Sequence, residues 1–196
     1  LDEFEKKLAA AGLNPTSVAA GDMLETGRRV QFTLPSGHVI ELFATKKQVG
    51  NGMPLTNPGP WYADSERGIA PVRFDHSLLY GPNIAAVKKI FTEILGFYLV
   101  ERVLGEDGET EVALWLSCGQ KVHDIAFVEY PEPGKLHHCS FLLDSWEKVQ
   151  RAGDIMSMHE VPVDIGPTRH GITRGGTIYA WDPSGNRFET FQGGYF

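Results

Sequence analysis

The sequence predicts an α+β protein built from paired βαβββ modules, and three observations support that fold class. Residues 73–77 (Arg-Phe-Asp-His-Ser) resemble residues 135–139 (Lys-Leu-His-His-Cys) at an offset of 62 positions. After each run the same order of patterns follows, namely an apolar strand, an amphipathic helix and three more strands. Gly, Pro, Asn and Asp residues separate these segments, as short strands require. We therefore predict two similar modules, at 72–130 and 135–192.

In the first module, the pattern predicts a strand at 72–80 and a helix with Asn83 as its N-cap. Gly96 is expected to end that helix. The apolar side chains on one helical face are Ile84, Val87, Phe91, Ile94 and Leu95. Three further strands are predicted at 97–104, 110–117 and 123–130.

The second module repeats this plan. A strand is predicted at 136–143, and a helix is predicted from Ser145 to about Ala152 with Gly153 as its stop signal. The remaining strands are predicted near 161–165, 176–182 and 187–192.

The N-terminal residues point to a further copy of the module. Residues 35–43 resemble residues 183–191, and residues 1–6 resemble residues 143–148, at nearly the same offset. Similarity at a fixed offset indicates duplication. We therefore expect 1–43 to be the C-terminal part of a truncated N-terminal βαβββ domain, which makes this chain a fragment. Residues 44–71 are then the linker, and 72–196 are the catalytic domain.

Composition excludes several classes of protein. The 196 residues include 18 Lys and Arg against 25 Asp and Glu, which gives a net charge of −7. An acidic chain without a basic run is not typical of nucleic-acid binding. No apolar stretch is long enough to span a membrane. The two cysteines, Cys118 and Cys139, cannot form a disulfide framework.

Two of the seven histidines occupy matching positions in the repeat. His76 and His138 each lie on the first strand of a module, so a two-fold arrangement would bring their imidazoles together. An imidazole among apolar neighbours needs a partner, and a metal ion is a suitable one. Hydrogen-bonded structural histidines are the alternative, and His38 and His159 are assigned to polar, turn-like positions.

A carboxylate on the last strand extends this pattern. The offset of 62 maps Glu189 onto Phe127, so one module carries a carboxylate where the other carries a ring. Two imidazoles and a carboxylate on one face leave open positions and suit non-heme Fe(II), although zinc accepts the same donors. A charge on an edge strand facing water is the alternative for Glu189.

Three more residues are candidates for a cavity next to these two imidazoles and the carboxylate. If Phe127 faces it, strand alternation places His123 there too, although a histidine near solvent at the start of a strand fits equally well. His170 lies in a loop, and loops on a rigid sheet often carry function. Tyr179 alternates with Thr177 and Trp181 along a strand, and Trp181 is assigned to the core.

Residues 170–189 resemble the signature of the extradiol ring-cleavage dioxygenases, in the vicinal oxygen chelate superfamily. The signature contains a His, a Tyr nine positions later, then D-P-x-G-N and a Glu, all of which are present. Residues 74–76 and 136–138 also resemble the two metal-bearing strands of that family. The resemblance covers almost the whole chain and implies the glyoxalase–bleomycin resistance–dioxygenase fold.

The resemblance implies the role of each candidate. It implies that His76, His138 and Glu189 bind Fe(II), with no organic cofactor. It further implies that the catalytic residues are His123, His170 and Tyr179, and that the ring pocket is lined by Trp115 and Ile172.

The implied reaction is the cleavage of catechol or an alkylcatechol by O2 to 2-hydroxymuconic semialdehyde, in the degradation of aromatic hydrocarbons. We expect a cytoplasmic homo-oligomer, a tetramer by resemblance, that binds neither nucleic acid nor membrane. Two alternatives remain open at this point. One is a glyoxalase-like metalloenzyme of the same superfamily, and the other is a non-catalytic module that sequesters a ligand.

Overall fold

The computed structural model describes residues 1–47 and 68–194, so most of the predicted linker, 44–71, lies outside the described residues. The N-terminal part begins with helix α1 (Asp2–Ala10). A three-stranded antiparallel sheet follows, made of β1 (Thr16–Val18), β2 (Arg29–Thr33) and β3 (Val39–Phe43). None of the helices in the described residues has the length and apolar composition that crossing a bilayer requires.

Residues 73–193 form two βαβββ units, which confirms the predicted fold class. The first contains β4 (Arg73–Gly81), α2 (Ile84–Lys89) with a π-helical turn (Ile90–Ile94), β5 (Tyr98–Leu104), β6 (Glu111–Ser117) and β7 (Ile125–Glu129). The second contains β8 (Lys135–Leu142), α3 (Trp146–Met158), β9 (Val163–Arg169), β10 (Gly175–Trp181) and β11 (Arg187–Gly193).

The two units share one eight-stranded sheet with a pseudo-two-fold axis at its centre. The strand order is β5-β6-β7-β4-β8-β11-β10-β9, so equivalent strands lie at equal distances from the centre. The central strands β4 and β8 are antiparallel, with Ser77 opposite Cys139. Each central strand also pairs in parallel with the last strand of its own unit. His76 and His138 therefore lie on adjacent strands near the axis.

The register shows that the predicted correspondence between Glu189 and Phe127 is wrong by one residue. Glu189 lies opposite Ser140 on β8, and the repeat relates Ser140 to Leu78 on β4. The residue opposite Leu78 is Ala126, so Ala126 is the equivalent of Glu189. The second module therefore has one residue more than the first before its last strand. The offset of 62 positions, which aligns His138 with His76, consequently misaligns the last strands by one residue.

Phe127 consequently faces the helices and not the cavity. Its ring is fully buried and lies 5.4 Å, between centroids, from the ring of Phe91. Both rings belong to a core that joins α1, the N-terminal sheet and α2, with Leu8, Val30 and Val87 among its members. The second module has a separate core between α3 and β10, which contains Val149, Met156 and Ile178.

The predicted stop at Gly153 is also wrong, because α3 continues to Met158. A Cβ atom at Gly153 would lie 3.2 Å from Cδ1 of Ile178 on β10. The glycine therefore permits close packing of the helix on the sheet. The start of α3 agrees with the prediction, since Oγ of Ser145 accepts a hydrogen bond from the backbone N–H of Lys148 at 3.3 Å.

Helix α2 is capped from a distant strand. Asn83 occupies the N-cap position, but its side chain makes no capping hydrogen bond. The carboxylate of Glu129, at the end of β7, accepts the backbone N–H groups of Asn83 and Ile84, both at 3.0 Å. A carboxylate at a helix N-terminus satisfies free N–H groups and complements the helix dipole.

Candidate metal centre and substrate cavity

Three buried side chains converge at the centre of the sheet. His76 on β4, His138 on β8 and Glu189 on β11 are 4%, 2% and 1% exposed. Oε2 of Glu189 lies 3.2 Å from Nε2 of His76 and 3.4 Å from Nε2 of His138. The two Nε2 atoms are 3.4 Å apart. Within residues 1–47 and 68–194, this is the one group of three His, Cys, Asp or Glu side chains with metal-site spacing.

These donors fit a divalent metal ion. Two donors that each lie about 2.1 Å from one ion are at most about 4.2 Å apart, and all three separations are shorter than that. Two imidazoles and one carboxylate on one face leave the other positions of the ion open. The donor set alone suits Fe(II), and it also accepts Mn(II) or zinc.

Glu189 is held as an oriented, ionised carboxylate. Burial pushes its pKa up, but hydrogen bonding and positive charge from His138 and His76 outweigh burial and hold the pKa well below its usual range. The hydroxyl of Thr177 donates to Oε1 at 2.6 Å, and the hydroxyl of Ser140 donates to Oε2 at 2.6 Å. Such short, charge-assisted bonds orient a metal-binding carboxylate.

Asp75 orients His76. Its Oδ2 lies 3.1 Å from Nδ1 of His76, while the guanidinium of Arg73 donates two hydrogen bonds to Oδ1. Burial lowers the pKa of His76, but Asp75 and Glu189 outweigh burial and raise it overall. A carboxylate behind a histidine directs the other ring nitrogen toward a metal. Sequence reasoning noted Asp75 as part of the strand motif but assigned it no role.

A cavity of about 310 Å³ opens beside the three donors. The residues that the sequence associated with catalysis and with the ring pocket all line it, namely Trp115, His123, His170, Ile172 and Tyr179. Trp115 packs in an apolar cluster with Leu78 and Ala126, and Ile172 packs against that cluster. One wall of the cavity is therefore apolar and the other is rich in imidazoles, which suits a small ring that carries polar groups.

His123 enters the cavity from the connection before β7. Because Phe127 and Ile125 face the helices, strand alternation is not what places His123 there. Its ring centroid lies 3.9 Å from that of His76, and its side chain is buried. Burial, followed by the nearby His76, lowers the pKa of His123 to about 3. Within the described part of the chain its buried Nδ1 has no hydrogen-bond partner, and the residue lines the cavity as a neutral imidazole.

His170 and Tyr179 form a pair beside Glu189. Nε2 of His170 lies 3.1 Å from the hydroxyl of Tyr179 and 3.2 Å from Oε1 of Glu189. Burial and the charge of Glu189 raise the pKa of Tyr179 far above its usual value, so the phenol stays protonated. The arrangement provides a hydroxyl donor and an imidazole that can exchange protons.

Sequence reasoning missed Arg187 and His137 in the cavity wall. The guanidinium of Arg187 lies 4.0 Å from the ring centroid of Tyr179 and is paired with Asp164 at 2.6 Å. Its Nη1 is 3.0 Å from Nε2 of His137. Burial, together with the neighbouring His138, lowers the pKa of His137 to about 3. Arg187 precedes Glu189 by two positions on one strand, and side chains at that spacing lie on the same face of a sheet. This spacing could have indicated that Arg187 lies beside the cavity.

Family models match both parts of the chain. Residues 73–190 match the model of the Glyoxalase/Bleomycin resistance protein/Dioxygenase superfamily. The chain belongs to this superfamily. Residues 1–47 match the model of the catechol 2,3-dioxygenase-like N-terminal domain.

Individual relatives agree with the family models. The crystal structure of the 2,3-dioxygenase LapB from Pseudomonas sp. KL28 is 71% identical, with a TM-score of 0.94, and the match covers 100% of this chain and 68% of LapB. Homoprotocatechuate 2,3-dioxygenase from Arthrobacter globiformis is 26% identical with a TM-score of 0.81, covering 97% of this chain and 57% of that chain. The chain is therefore similar in sequence and fold to two 2,3-dioxygenases.

Curated relatives are longer than this chain. Metapyrocatechase from Pseudomonas sp. (strain CF600) is 49% identical over 195 residues, which cover 99% of this chain and 63% of that protein. A manganese-dependent 2,3-dihydroxybiphenyl 1,2-dioxygenase from Geobacillus genomosp. 3 is 31% identical, over 100% of this chain and 63% of that protein. The chain thus spans about 63% of the length of both relatives.

Proposed function

We propose that this protein is an Fe(II)-dependent extradiol dioxygenase that cleaves catechol or an alkylcatechol with O2 to 2-hydroxymuconic semialdehyde. The convergence of His76, His138 and Glu189 beside a cavity that also contains a neutral imidazole and a protonated phenol carries the proposal. The identity to a metapyrocatechase and to a 2,3-dioxygenase supports the ring-cleaving reaction and its diol substrate.

We assign His76, His138 and Glu189 as the metal ligands. A bound Fe(II) would supply open positions for the diol oxygens and for O2, together with a route for electrons from the ring to O2. One relative is a manganese-dependent dioxygenase, so the choice between iron and manganese is part of the experiment.

The other polar residues act on protons. His123 lines the cavity next to His76 and is placed to donate to, or accept from, O2-derived oxygen. Tyr179 donates its hydroxyl hydrogen to a diol oxygen, and His170 takes a proton from the diol and returns it later. One positioned acid or base of this kind is worth about 10²–10⁴-fold in rate.

The apolar wall holds the ring. Trp115 and Ile172 contact the same apolar cluster, so a flat ring can lie between that cluster and the imidazoles. Burial of the ring removes water from the reacting atoms and fixes them close to one another. Both oxygen atoms of O2 end in the product, so the reaction needs no further reductant.

One alternative loses support from the register. The resemblance to glyoxalase-like enzymes implies a second metal-binding carboxylate at the position equivalent to Glu189, and that position holds Ala126. An alanine offers no metal donor. A sequestering module needs no triad of buried metal donors, so metal retention separates it from the proposed enzyme.

Several expectations remain predictions. They are the domain limits (1–43, 44–71 and 72–196), the homotetramer and the cytoplasmic location. The degradation of aromatic hydrocarbons as the biological setting belongs to the proposal with them.

The test is reconstitution without oxygen, with Fe(II) in one sample and Mn(II) in another, followed by catechol and then air. We expect a yellow ring-cleavage product in the iron sample. Glu189→Ala should lose the metal, because it removes the anionic donor, while Glu160→Ala at an exposed position should retain it. Normal metal content in Glu189→Ala, or no product from metal-loaded protein, would refute the proposal.

A further inference from the structure

A hydrogen bond joins the two ends of the eight-stranded sheet across the cavity. Oε2 of Glu101 accepts the backbone N–H of Thr173 at 3.1 Å, although the two residues are 72 positions apart. Glu101 lies on β5, one outer strand of the sheet. Thr173 lies between β9 and β10, at the opposite end. The bond therefore closes the sheet around the cavity.

A β-bulge turns Glu101 away from the helix-side core, onto the face of the sheet that carries its partner Trp115. Leu99 on β5 pairs with Leu116 and packs in the helix-side core. The register then shifts, and Glu101 pairs with Trp115, which lines the cavity. In a regular strand Leu99 and Glu101 would share one face, because side chains alternate. Bulges often re-aim a side chain near an active site, and this one does so for Glu101.

The segment that Glu101 contacts has a conformation that needs support. Thr173 and Arg174 have φ angles of 58° and 55°, in the left-handed region. A β-branched residue is rarely found there, and such residues persist only where surrounding contacts hold them. Local bonds contribute, since Arg174 donates its N–H to the carbonyl oxygen of Ile172 at 2.7 Å. Thr173 is also buried, so its N–H needs an internal acceptor.

The same turn carries two cavity residues. His170 makes a ring-to-backbone hydrogen bond with the carbonyl oxygen of Ile172 at 3.2 Å, which ties the imidazole to this turn. Ile172 packs against the cluster that contains Trp115, the cross-strand partner of Glu101. The position of Thr173 therefore sets where His170 and Ile172 lie.

We propose that Glu101 is a positioning residue for the turn 170–174, and so for the proton transfer by His170 and the ring contact of Ile172. This inference rests on the proposed function for its kinetic part. Glu101 acts through Thr173 and is not among the residues that line the cavity. Its hydrogen bond goes to Thr173 and not to His76, His138 or Glu189, so we expect its loss to leave the three metal donors in place.

The experiment compares Glu101→Ala and Glu101→Gln in the metal-loaded protein, with Glu106→Ala in an exposed turn as the control. Hydrogen exchange at the Thr173 amide is measured alongside metal content, kcat and KM. In Glu101→Ala we expect exchange about tenfold faster and kcat/KM about tenfold lower, because a charge-assisted hydrogen bond is lost. Glu101→Gln keeps an acceptor oxygen and should restore both values to within about threefold.

The readouts separate this inference from the proposed function. Unchanged exchange at Thr173 in Glu101→Ala would overturn the positioning role, whatever the turnover. Loss of metal from Glu101→Ala but not from Glu106→Ala would also overturn it, because the effect would then be on the metal centre. If the wild-type protein cleaved no catechol, the proposed function would fail, while the exchange rates would still decide whether Glu101 holds the turn.

Discussion

Substitution of Phe127 tests which face of the sheet its ring occupies. The ring is fully buried and lies near the rings of Phe91 and His38, at centroid distances of 5.4 Å and 6.1 Å. These neighbours lie on the helix side, away from the metal donors. Truncation of Phe127 should therefore lower the free energy of unfolding and leave metal content and catechol binding unchanged.

The expected magnitude follows from the atoms removed. Phe→Ala in a packed core costs about 3–5 kcal/mol, partly through the cavity that remains. Phe127→Leu keeps three of the six carbons beyond Cβ, so about half of that range, near 2 kcal/mol, is expected. In a chain of this size that loss corresponds to a decrease in Tm of about 4–8 °C.

Urea unfolding of the metal-loaded protein measures the change in the free energy of unfolding. Metal analysis of the same samples measures the metal content. Phe43→Ala is a matched control, because Phe43 is 50% exposed and its truncation should cost less than about 1 kcal/mol. If Phe127→Leu unfolded like the wild type but bound catechol less well, its ring would face the cavity, and the register argument would be refuted.

Three further substitutions test the metal centre and the cap at the N-terminus of α2. His123→Phe should keep the metal but slow turnover by about 10²–10⁴-fold, because it removes a proton-transfer group and no ligand; loss of metal would show that His123 is itself a ligand. Thr177→Val removes the hydroxyl that donates a hydrogen bond to Oε1 of Glu189. This change should weaken metal binding about 10–100-fold in a chelator competition, and unchanged affinity would show that Thr177 does not orient the carboxylate. Glu129→Gln should lower the free energy of unfolding in urea by about 1 kcal/mol, because it weakens the cap of α2. The control Glu132→Gln, in an exposed ion pair with Lys135, should change it by less than about 0.5 kcal/mol. Equal effects of the two substitutions would argue that Glu129 does not cap α2.

Local pattern was enough to predict the modules, and the repeat together with the family resemblance supplied most of the candidate site residues. Strand alternation, helix periodicity and turn residues act over a few positions, so the βαβββ order could be read directly. The equal spacing of His76 and His138 on equivalent strands also predicted their proximity. The fold then placed the carboxylate of Glu189 next to both imidazoles.

Tertiary structure alone decided how distant segments align. The one-residue difference that makes Ala126 the equivalent of Glu189 appears in the strand register, since a repeat offset cannot reveal it. Gly153 lies within a helix because Ile178 packs close to it, and Glu129 caps α2 from another strand. Glu101 likewise meets Thr173 only because a bulge and the curl of the sheet bring opposite edges together. Such contacts depend on packing between residues that are far apart along the chain, and no local pattern in the sequence encodes them.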